Sequence, residues 1–395
     1  MADHAAGAPA GAARLMAGAC AGMFVFGLVM AVLGAVLPGL FDKIGFDKAA
    51  AGDLFLSMNF AMLAMTVLFG PLVDRFGFKA FLVLCSILVG AAFGLLTIAS
   101  TYTLVVVAAI VLGFGGGGLN GGTNALTSDI HEAETRGSAL NLLGVFFGIG
   151  AVTIPFLIGS LLSLMGLSNI LRLAVVVSLV PLLLFALLRF PGAKQPHGFP
   201  LRDAGQIARD PLLWLCGSLL FFQSGNEFAV GGWLSTYLQE SFGTSAAAAA
   251  LTLAGYWAAL MLGRIVASRI VRILGNSRLV LLSAALALVA AIVLRFTTSS
   301  PLAVAAVLLV GFGFAAIYPT TLASVGNAFA ALSGTAFGVV IAVGLVGGMI
   351  SPWLVGQVAQ TAGLRQGLLV PVLNCAMIIV VQLCIMRVLR RRTSG

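Results

Sequence analysis

The chain carries twelve acidic residues, and by the predicted spans eleven of them fall in loops, termini or the ends of apolar segments. Only Glu227 lies near the middle of an apolar segment. A carboxylate in such surroundings is costly unless it pairs with a cation, takes up a proton or lines water. Arg264 is the nearest basic residue, and we expect it to lie too close to the end of its own segment to pair. The pattern therefore predicts that Glu227 binds a proton; the plainer alternative is that it only hydrogen-bonds neighbouring helices.

Polar and aromatic side chains accompany Glu227 in the second half of the chain. Gln223 precedes Glu227 by one helical turn, so the two share a face. Amides and carboxylates hydrogen-bond hydroxyl groups, and aromatic rings stack on a sugar ring, so such a set would suit a sugar or similar polyol. Aromatic residues near span ends, among them Trp233, Tyr237 and Trp353, can instead be interfacial anchors or serve packing. The other predicted substrate-binding residues of this half are Asn226, Tyr256, Trp257 and Tyr318.

A glycine-rich segment, GFGGGGLNGGTN at residues 113–124, raises a different possibility. It is not a dinucleotide or phosphate-binding loop, because apolar residues flank it and no Lys-Ser/Thr pair follows. Glycines spaced by three or four residues let neighbouring membrane helices approach closely, which is the structural explanation. Packing does not require Asn120 and Asn124, which lie one turn apart. We predict that these two and Asn141 face a wet cavity of the first half.

The composition identifies the class of protein. Of 395 residues, 61% are hydrophobic and 8% are charged, with a mean hydropathy of +1.13, so the chain is not an ordinary soluble domain. The five cysteines lie in apolar segments without CxxC spacing, and the three histidines lie in a tail or loops. Neither a metal site, a cofactor nor a catalytic constellation is predicted, so we expect no enzyme.

Apolar segments long enough to cross a bilayer recur along the chain. With both termini in the cytoplasm, sixteen lysines and arginines lie inside and five outside, as expected for a plasma membrane or bacterial inner membrane protein. This asymmetry explains the net charge of +9 without nucleic acid as a partner, and we expect a monomer. The fold class is thus all-α, with twelve transmembrane helices predicted near residues 15–40, 50–73, 78–99, 104–127, 138–165, 170–190, 212–238, 247–270, 278–296, 302–325, 333–358 and 367–387.

An internal repeat divides the chain. The segments that begin at Gly137 and Gly334 each place a proline 18 residues later and a glycine 4 residues after that, at an offset of 197. A proline-rich polar stretch lies near the midpoint. We predict two pseudo-symmetric six-helix bundles in parallel orientation, a pattern typical of transporters. The predicted divisions are an N-terminal bundle at 1–190, a cytoplasmic linker at 191–211 and a C-terminal bundle at 212–395.

The loop predicted between the second and third spans reads GPLVDRFGFKAFL, residues 70–82. Glycines in a short turn bring two helices close, an aspartate can cap a helix, and basic side chains anchor at an anionic leaflet. The stretch resembles the G-x-L-x-D-R-x-G-x-K/R signature of the major facilitator superfamily. The resemblance implies a cytoplasmic gate formed by Gly70, Asp74, Arg75, Gly77 and Lys79, with Asp129 and Arg136 as further members of its charge network.

Three further segments resemble one branch of that superfamily, the fucose, galactose and glucose proton symporters with their sodium-glucose relatives. They contain Asn124, then Arg136 to Gly150, then Gly225, Glu227 and Trp233. The branch's acid on helix 4 is replaced by Asn120. The resemblance implies secondary active symport of a sugar or similar small polar solute with a proton, or with sodium. The alternative is a proton-coupled exporter of lipophilic or drug-like compounds.

Overall fold

A computed structural model describes residues 10–190, 209–329 and 332–394. Within them the chain is helical and contains no strand. Most of the predicted linker, residues 191–208, lies outside the described residues. The helices are α1 (Ala10–Ile44), α2 (Lys48–Ile98), α3 (Tyr102–Ile130), α4 (Ala133–Leu187), α5 (Pro211–Phe242), α6 (Ala246–Leu274), α7 (Asn276–Phe296), α8 (Ser300–Phe314), α9 (Ile317–Ala328), α10 (Ser333–Ala362), α11 (Leu364–Gly367) and α12 (Leu369–Ser394).

Nine helices in the described part of the chain are long and apolar enough to cross a membrane. Two of them, α2 with 51 residues and α4 with 55, are more than twice the length that one crossing needs. Each covers two predicted spans. The helix α5 is not among the nine, because polar residues such as Gln223 and Glu227 interrupt its apolar sequence. The arrangement is consistent with twelve crossings.

Single glycines divide the two long helices. Gly77 in α2 has φ 77° and ψ 162°, and Gly166 in α4 has φ 71° and ψ 159°. Side chains with a Cβ rarely adopt this conformation, so glycine is required at both kinks. The sequence predicted a loop of several residues between the second and third spans. In the structure the chain changes direction at Gly77 alone, and helix resumes at once on either side.

The positive-φ glycines repeat with the period of the sequence. Six glycines in the described residues have positive φ, and they form three pairs offset by 197 or 198 positions. These pairs are Gly45 with Gly243, Gly77 with Gly275, and Gly166 with Gly363. The sequence repeat thus corresponds to a repeated set of chain reversals.

Two close helix crossings repeat in the same way. A Cβ added to Gly150 on α4 would fall against the carbonyl oxygen of Phe24 on α1. A Cβ added to Gly347 on α10 would likewise fall against the carbonyl oxygen of Phe221 on α5. Both members of the first pair are shifted by 197 residues in the second. The duplicated glycines therefore hold equivalent helices in backbone contact, as small residues do in membrane proteins.

The chain forms two compact units. Unit 1 comprises Met1–Val32, Ala61–Leu157 and Leu161–Pro196, and unit 2 comprises Leu33–Phe60, Ile158–Ser160 and His197–Gly395. Unit 2 thus contains the last part of α1 and the first part of α2 together with α5 to α12. Within unit 2, α5 packs most extensively on α10, with α12 as its next neighbour.

Candidate functional site

The candidate site in unit 2 begins on one face of α5. The Nε2 atom of Gln223 donates to Oε1 of Glu227 at 2.8 Å, which places the two side chains one turn apart as predicted. Gln223 is fully buried, and the Glu227 side chain is 13% exposed. The amide thus holds the carboxylate in a fixed orientation within an apolar span.

Arg264 on α6 pairs with this carboxylate. Its Nη2 atom lies 4.0 Å from Oε2 of Glu227. The expectation that Glu227 has no cationic partner is therefore wrong. A long arginine side chain can extend along its helix and place the guanidinium far from its own Cα. Gly263, the residue before Arg264, lets α6 approach α8 closely. A Cβ at this position would lie 3.0 Å from the Phe312 carbonyl oxygen.

A helix break supplies a backbone acceptor. The predicted span 302–325 is divided into α8, which ends at Phe314, and α9, which begins at Ile317. The last carbonyls of a helix have no partner within it. Nε2 of Gln223 donates its second hydrogen bond to the carbonyl oxygen of Phe314, at 3.2 Å. Interrupted helices of this kind form ion and substrate sites in transporters, and the sequence analysis did not predict this one.

The remaining predicted residues of unit 2 lie on α5, α6 and α9. Tyr256 and Tyr318 both lie near Glu227 and Arg264. Trp257 packs edge-on against Tyr256, with ring centroids 5.2 Å apart. The surroundings of Glu227 therefore combine charged groups with the Tyr256 and Tyr318 rings.

Several buried polar atoms of this group have no hydrogen-bond partner among the described residues. They belong to Gln223, Asn226 and Tyr256, all fully buried. Asn226 uses only its Nδ2 group, which donates to Sγ of Cys375 at 3.3 Å. Unpartnered buried polar groups are costly, so a water molecule or polar ligand that reached the Oε1, Oδ1 and hydroxyl oxygen atoms concerned would stabilise them. The group, named the Glu227 cluster, comprises Gln223, Asn226, Glu227, Tyr256, Trp257, Arg264 and Tyr318.

The amides of unit 1 form a separate group on α3. The Nδ2 atom of Asn124 donates to Oδ1 of Asn120 at 3.0 Å and to its carbonyl oxygen at 2.9 Å. Both residues are half-buried. The predicted pair on one face is therefore present. Asn141, on α4, is exposed and forms no hydrogen bond with either of them in the described residues.

The glycines of α3 serve packing. A Cβ at Gly115 would lie 2.9 Å from the Cys85 carbonyl oxygen, and one at Gly122 would lie 2.6 Å from a methyl group of Leu82. One at Gly117 would lie 2.9 Å from the Met62 carbonyl oxygen. The segment therefore brings α3 against both parts of α2, and the amides occupy positions that these contacts leave open.

The signature residues 70–79 surround the kink of α2. Asp74 is half-buried, whereas Arg75 and Lys79 are exposed, and within the described part of the chain neither base pairs with Asp74. The Arg75 guanidinium lies 5.3 Å from the centre of the Phe76 ring. Gly70 has open space where a Cβ would be. Asp129, at the end of α3, and Arg136, near the start of α4, are both exposed.

Of the three aromatics that could be interfacial anchors, two belong to the core of unit 2. Trp233 and Tyr237 are fully buried. Trp233 Nε1 donates to the Pro352 carbonyl oxygen at 2.9 Å, and the Tyr237 hydroxyl donates to the Leu294 carbonyl oxygen at 2.8 Å. For both residues packing is the alternative that agrees with the structure, and neighbouring helices provide the polar partners of the indole N–H and the hydroxyl group. Trp353 remains partly exposed.

A polar cluster at one end of unit 2 was not predicted. Lys48 Nζ lies 3.0 Å from Oε2 of Glu240, and the Lys48 backbone N–H donates to Oε1 of Gln360 at 3.0 Å. Trp353 Nε1 donates to Oδ1 of Asp53 at 3.0 Å. These bonds join the beginning of α2 to the end of α5 and to α10. We call Lys48, Asp53, Glu240, Trp353 and Gln360 the Lys48 cluster.

Comparison with known proteins adds family information to this geometry. The family described as the Major Facilitator Superfamily matches residues 19–352 and, in a second match, residues 216–394. An uncharacterised MFS-type transporter of Yersinia pestis is 26% identical over 345 residues, which cover 86% of this chain and 88% of that protein. A glucose/galactose transporter of Brucella abortus biovar 1 (strain 9-941) is 23% identical over 376 residues, which cover 90% of each.

The solved structures show the same fold. The crystal structure of a D-xylose-proton symporter has a TM-score of 0.78 and 16% sequence identity, and the match covers 94% of this chain and 96% of that one. At this identity the similarity concerns the fold alone.

Proposed function

The chain belongs to the Major Facilitator Superfamily, and from this premise we propose that it is a secondary active transporter that moves a sugar or similar small polar solute together with a proton. The Glu227 cluster carries the proposal. Its carboxylate is held by Gln223 on one oxygen and paired with Arg264 on the other, inside an apolar bundle. An acid kept at this depth is a functional candidate by default.

The length of the ion pair supports proton exchange. A separation of 4.0 Å is longer than the roughly 2.7–2.9 Å of a direct charge-assisted hydrogen bond. A proton can therefore compete with Arg264 for the carboxylate without first breaking a tight bidentate contact. Protonated Glu227 becomes a hydrogen-bond donor, and ionised Glu227 returns to its pair with Arg264. These two states give the protein a charge-dependent switch at the cluster.

The available polar atoms support a neutral, hydroxyl-bearing solute. The unpartnered atoms of Gln223, Asn226 and Tyr256 provide two acceptors and a hydroxyl group. The Trp257 and Tyr256 rings offer apolar faces beside them. A glucose/galactose transporter among the relatives and a xylose-proton symporter among structures of the same fold agree with this class of solute.

The orientation and gate remain part of the proposal. The distribution of basic residues supports cytoplasmic termini in a plasma membrane or bacterial inner membrane. It also puts the signature at residues 70–79 on the cytoplasmic side, where Asp74, Arg75 and Lys79 would control closure. We propose a monomer that functions as a transporter rather than an enzyme.

Uptake by purified protein in proteoliposomes tests the function. A pH gradient, acidic on the side of solute addition, should drive accumulation of at least one neutral sugar or polyol, and a sodium gradient should not. Arg264 would also suit a carboxylate, so the panel includes small organic anions. Accumulation of anions alone would contradict the sugar assignment, sodium-driven accumulation would contradict proton coupling, and equilibration without accumulation would identify a uniporter.

A further inference from the structure

Unit 2 contains an open cavity of about 460 Å³ that the Glu227 cluster does not line. It lies at the end of unit 2 that holds the Lys48 cluster, and it is formed by the ends of α1 and α5, the start of α2 and the end of α10. Its lining residues are Pro38, Phe41, Asp42, Phe46, Asp47, Lys48, Thr236, Gln239, Glu240 and Gln360.

Charge distinguishes this cavity from the rest of a basic protein. Three carboxylates, of Asp42, Asp47 and Glu240, face a single ammonium group, that of Lys48, which leaves a net charge of minus two. Lys48 pairs with Glu240 at 3.0 Å. Oδ1 of Asp47 accepts the Ala50 backbone N–H at 2.7 Å. The Asp42 carboxylate is exposed and forms no hydrogen bond or ion pair within the described part of the chain.

A buried hydroxyl points to a ligand independently of that charge. Thr236 lines the cavity, yet the residue is only 2% exposed and its Oγ1 atom has no hydrogen-bond partner among the residues that the structure describes. Three other buried threonines, Thr97, Thr123 and Thr321, each donate to the carbonyl oxygen one turn earlier. A buried hydroxyl left without a partner costs free energy, so a polar group in the cavity would satisfy it.

Aromatic rings define the shape of the preferred ligand. The Phe41 and Phe46 rings lie with their centroids 5.0 Å apart and form part of the wall. Aromatic faces attract organic cations and pack on methylene chains. The described residues contain no group of three or more His, Cys, Asp or Glu placed to hold one metal ion, so the carboxylates do not converge on a point charge.

We propose that this cavity binds a small aliphatic ammonium ion, and that its net charge of minus two favours a linear diammonium. One ammonium group would donate to the carboxylates and to Oγ1 of Thr236, and the methylene chain would lie on the two phenylalanine rings. Because the lining comes from α1, α2, α5 and α10, the bound ion would hold the ends of these helices together.

The test compares three probes of similar length and different charge. Thermal unfolding and saturation-transfer NMR are measured on the full-length protein in nanodiscs with 1,4-diaminobutane, n-butylammonium and 1,4-butanediol. A ligand that prefers the native state raises the unfolding temperature. The expected order of affinity is diammonium, monoammonium, then diol, with diammonium binding weakened by salt. Equal or tighter binding of the diol would overturn the proposal.

Two substitutions locate the binding without disturbing the fold. Asp42→Asn should weaken diaminobutane binding about two- to fivefold, as expected for a partly exposed ion pair. Thr236→Val should weaken it about two- to tenfold, because a ligand hydrogen bond is lost while no hydrogen bond within the described part of the protein is removed. Lys43→Gln, at an exposed lysine next to Asp42, is the matched control and should bind at least as well as the wild type.

Binding that is unchanged in both Asp42→Asn and Thr236→Val would overturn the proposal even if the protein binds diamines elsewhere. The same titration in Glu227→Gln protein separates this cavity from transport. That variant should still bind diaminobutane, whether or not the proposed proton coupling is correct.

Discussion

At the residue scale, the proposed role of Glu227 depends on its ion pair with Arg264. Arg264→Gln should reduce pH-driven accumulation by about tenfold or more, because breaking a largely buried ion pair is costly and no cation remains to regain the carboxylate from its proton. Arg264→Lys, which retains charge, should be affected less. Arg269→Gln, at an exposed arginine of the same helix, is the control. Equal uptake by all three variants would show that Arg264 takes no part in proton coupling.

Asn124 gives a second prediction at this scale. Both of its donor contacts go to Asn120, which leaves its Oδ1 atom available. If that atom accepts a hydrogen bond from the solute, Asn124→Leu should weaken solute binding by about 1–3 kcal/mol. Ser128→Ala, one turn later on α3, should bind normally. If Asn124→Leu binds the solute as tightly as the wild type does, the Asn120–Asn124 pair serves helix packing rather than solute binding.

Single residues show where sequence reasoning succeeds. Two amides or an amide and a carboxylate four positions apart must share a helix face, so the Asn120–Asn124 and Gln223–Glu227 contacts could be predicted. Arg264 lies 37 positions after Glu227 on another helix, and its reach depends on side-chain conformation and on the close approach of α6 and α8 at Gly263. Neither is encoded in local spacing.

At the scale of helices, the close crossings predict that glycine-to-alanine substitutions will change stability in opposite directions at crossing and non-crossing positions. Gly150→Ala and Gly347→Ala should each destabilise the protein by about 1–3 kcal/mol, because the added methyl group meets a carbonyl oxygen of the neighbouring helix. Gly144→Ala and Gly338→Ala place the same group in open space and should be neutral or stabilising, since alanine favours helix.

Thermal unfolding in one detergent compares these four variants. Lower midpoints only for Gly150→Ala and Gly347→Ala would agree with the packing described. A uniform change in all four would show that helix propensity, rather than the crossings, determines the effect.

The helices also show what hydropathy cannot resolve. Apolar segments indicated the spans, but α2 and α4 continue through single-glycine kinks where separate helices and loops were expected. The break between α8 and α9 falls within an apolar stretch, so hydropathy does not indicate it. In the structure the Phe314 carbonyl oxygen at this break accepts a hydrogen bond from the Gln223 amide. Backbone irregularity of this kind depends on tertiary partners that a hydropathy pattern does not contain.

At the scale of the whole molecule, the repeat of about 197 residues was evident in sequence and recurs in the positive-φ glycines and in the helix crossings. The grouping of Leu33–Phe60 with unit 2 was not evident, because the Lys48 cluster joins residues nearly 200 to more than 300 positions apart. Contacts between residues so far apart in the chain leave no local pattern in the sequence.

The Lys48 cluster yields a charge-reversal prediction. Lys48→Glu or Glu240→Lys should increase hydrogen exchange at the end of α5, because the ion pair joins this helix end to the start of α2. The increase should be modest, since an ion pair at this exposure contributes at most about 1 kcal/mol. The double exchange of charges should restore protection. Lys43→Glu, at an exposed lysine outside the cluster, is the control. Failure of the double variant to restore protection would show that the ion pair does not hold these ends.

Glu227→Gln in proteoliposomes tests the proton-coupled mechanism most directly. The substitution keeps the size of the side chain but removes its titration, so the transporter should remain in a protonated-like state. We predict that solute counterflow persists while accumulation driven by a pH gradient is lost. Accumulation in Glu227→Gln protein equal to that of the wild type under the same gradient would contradict the proposed role of Glu227 in proton coupling.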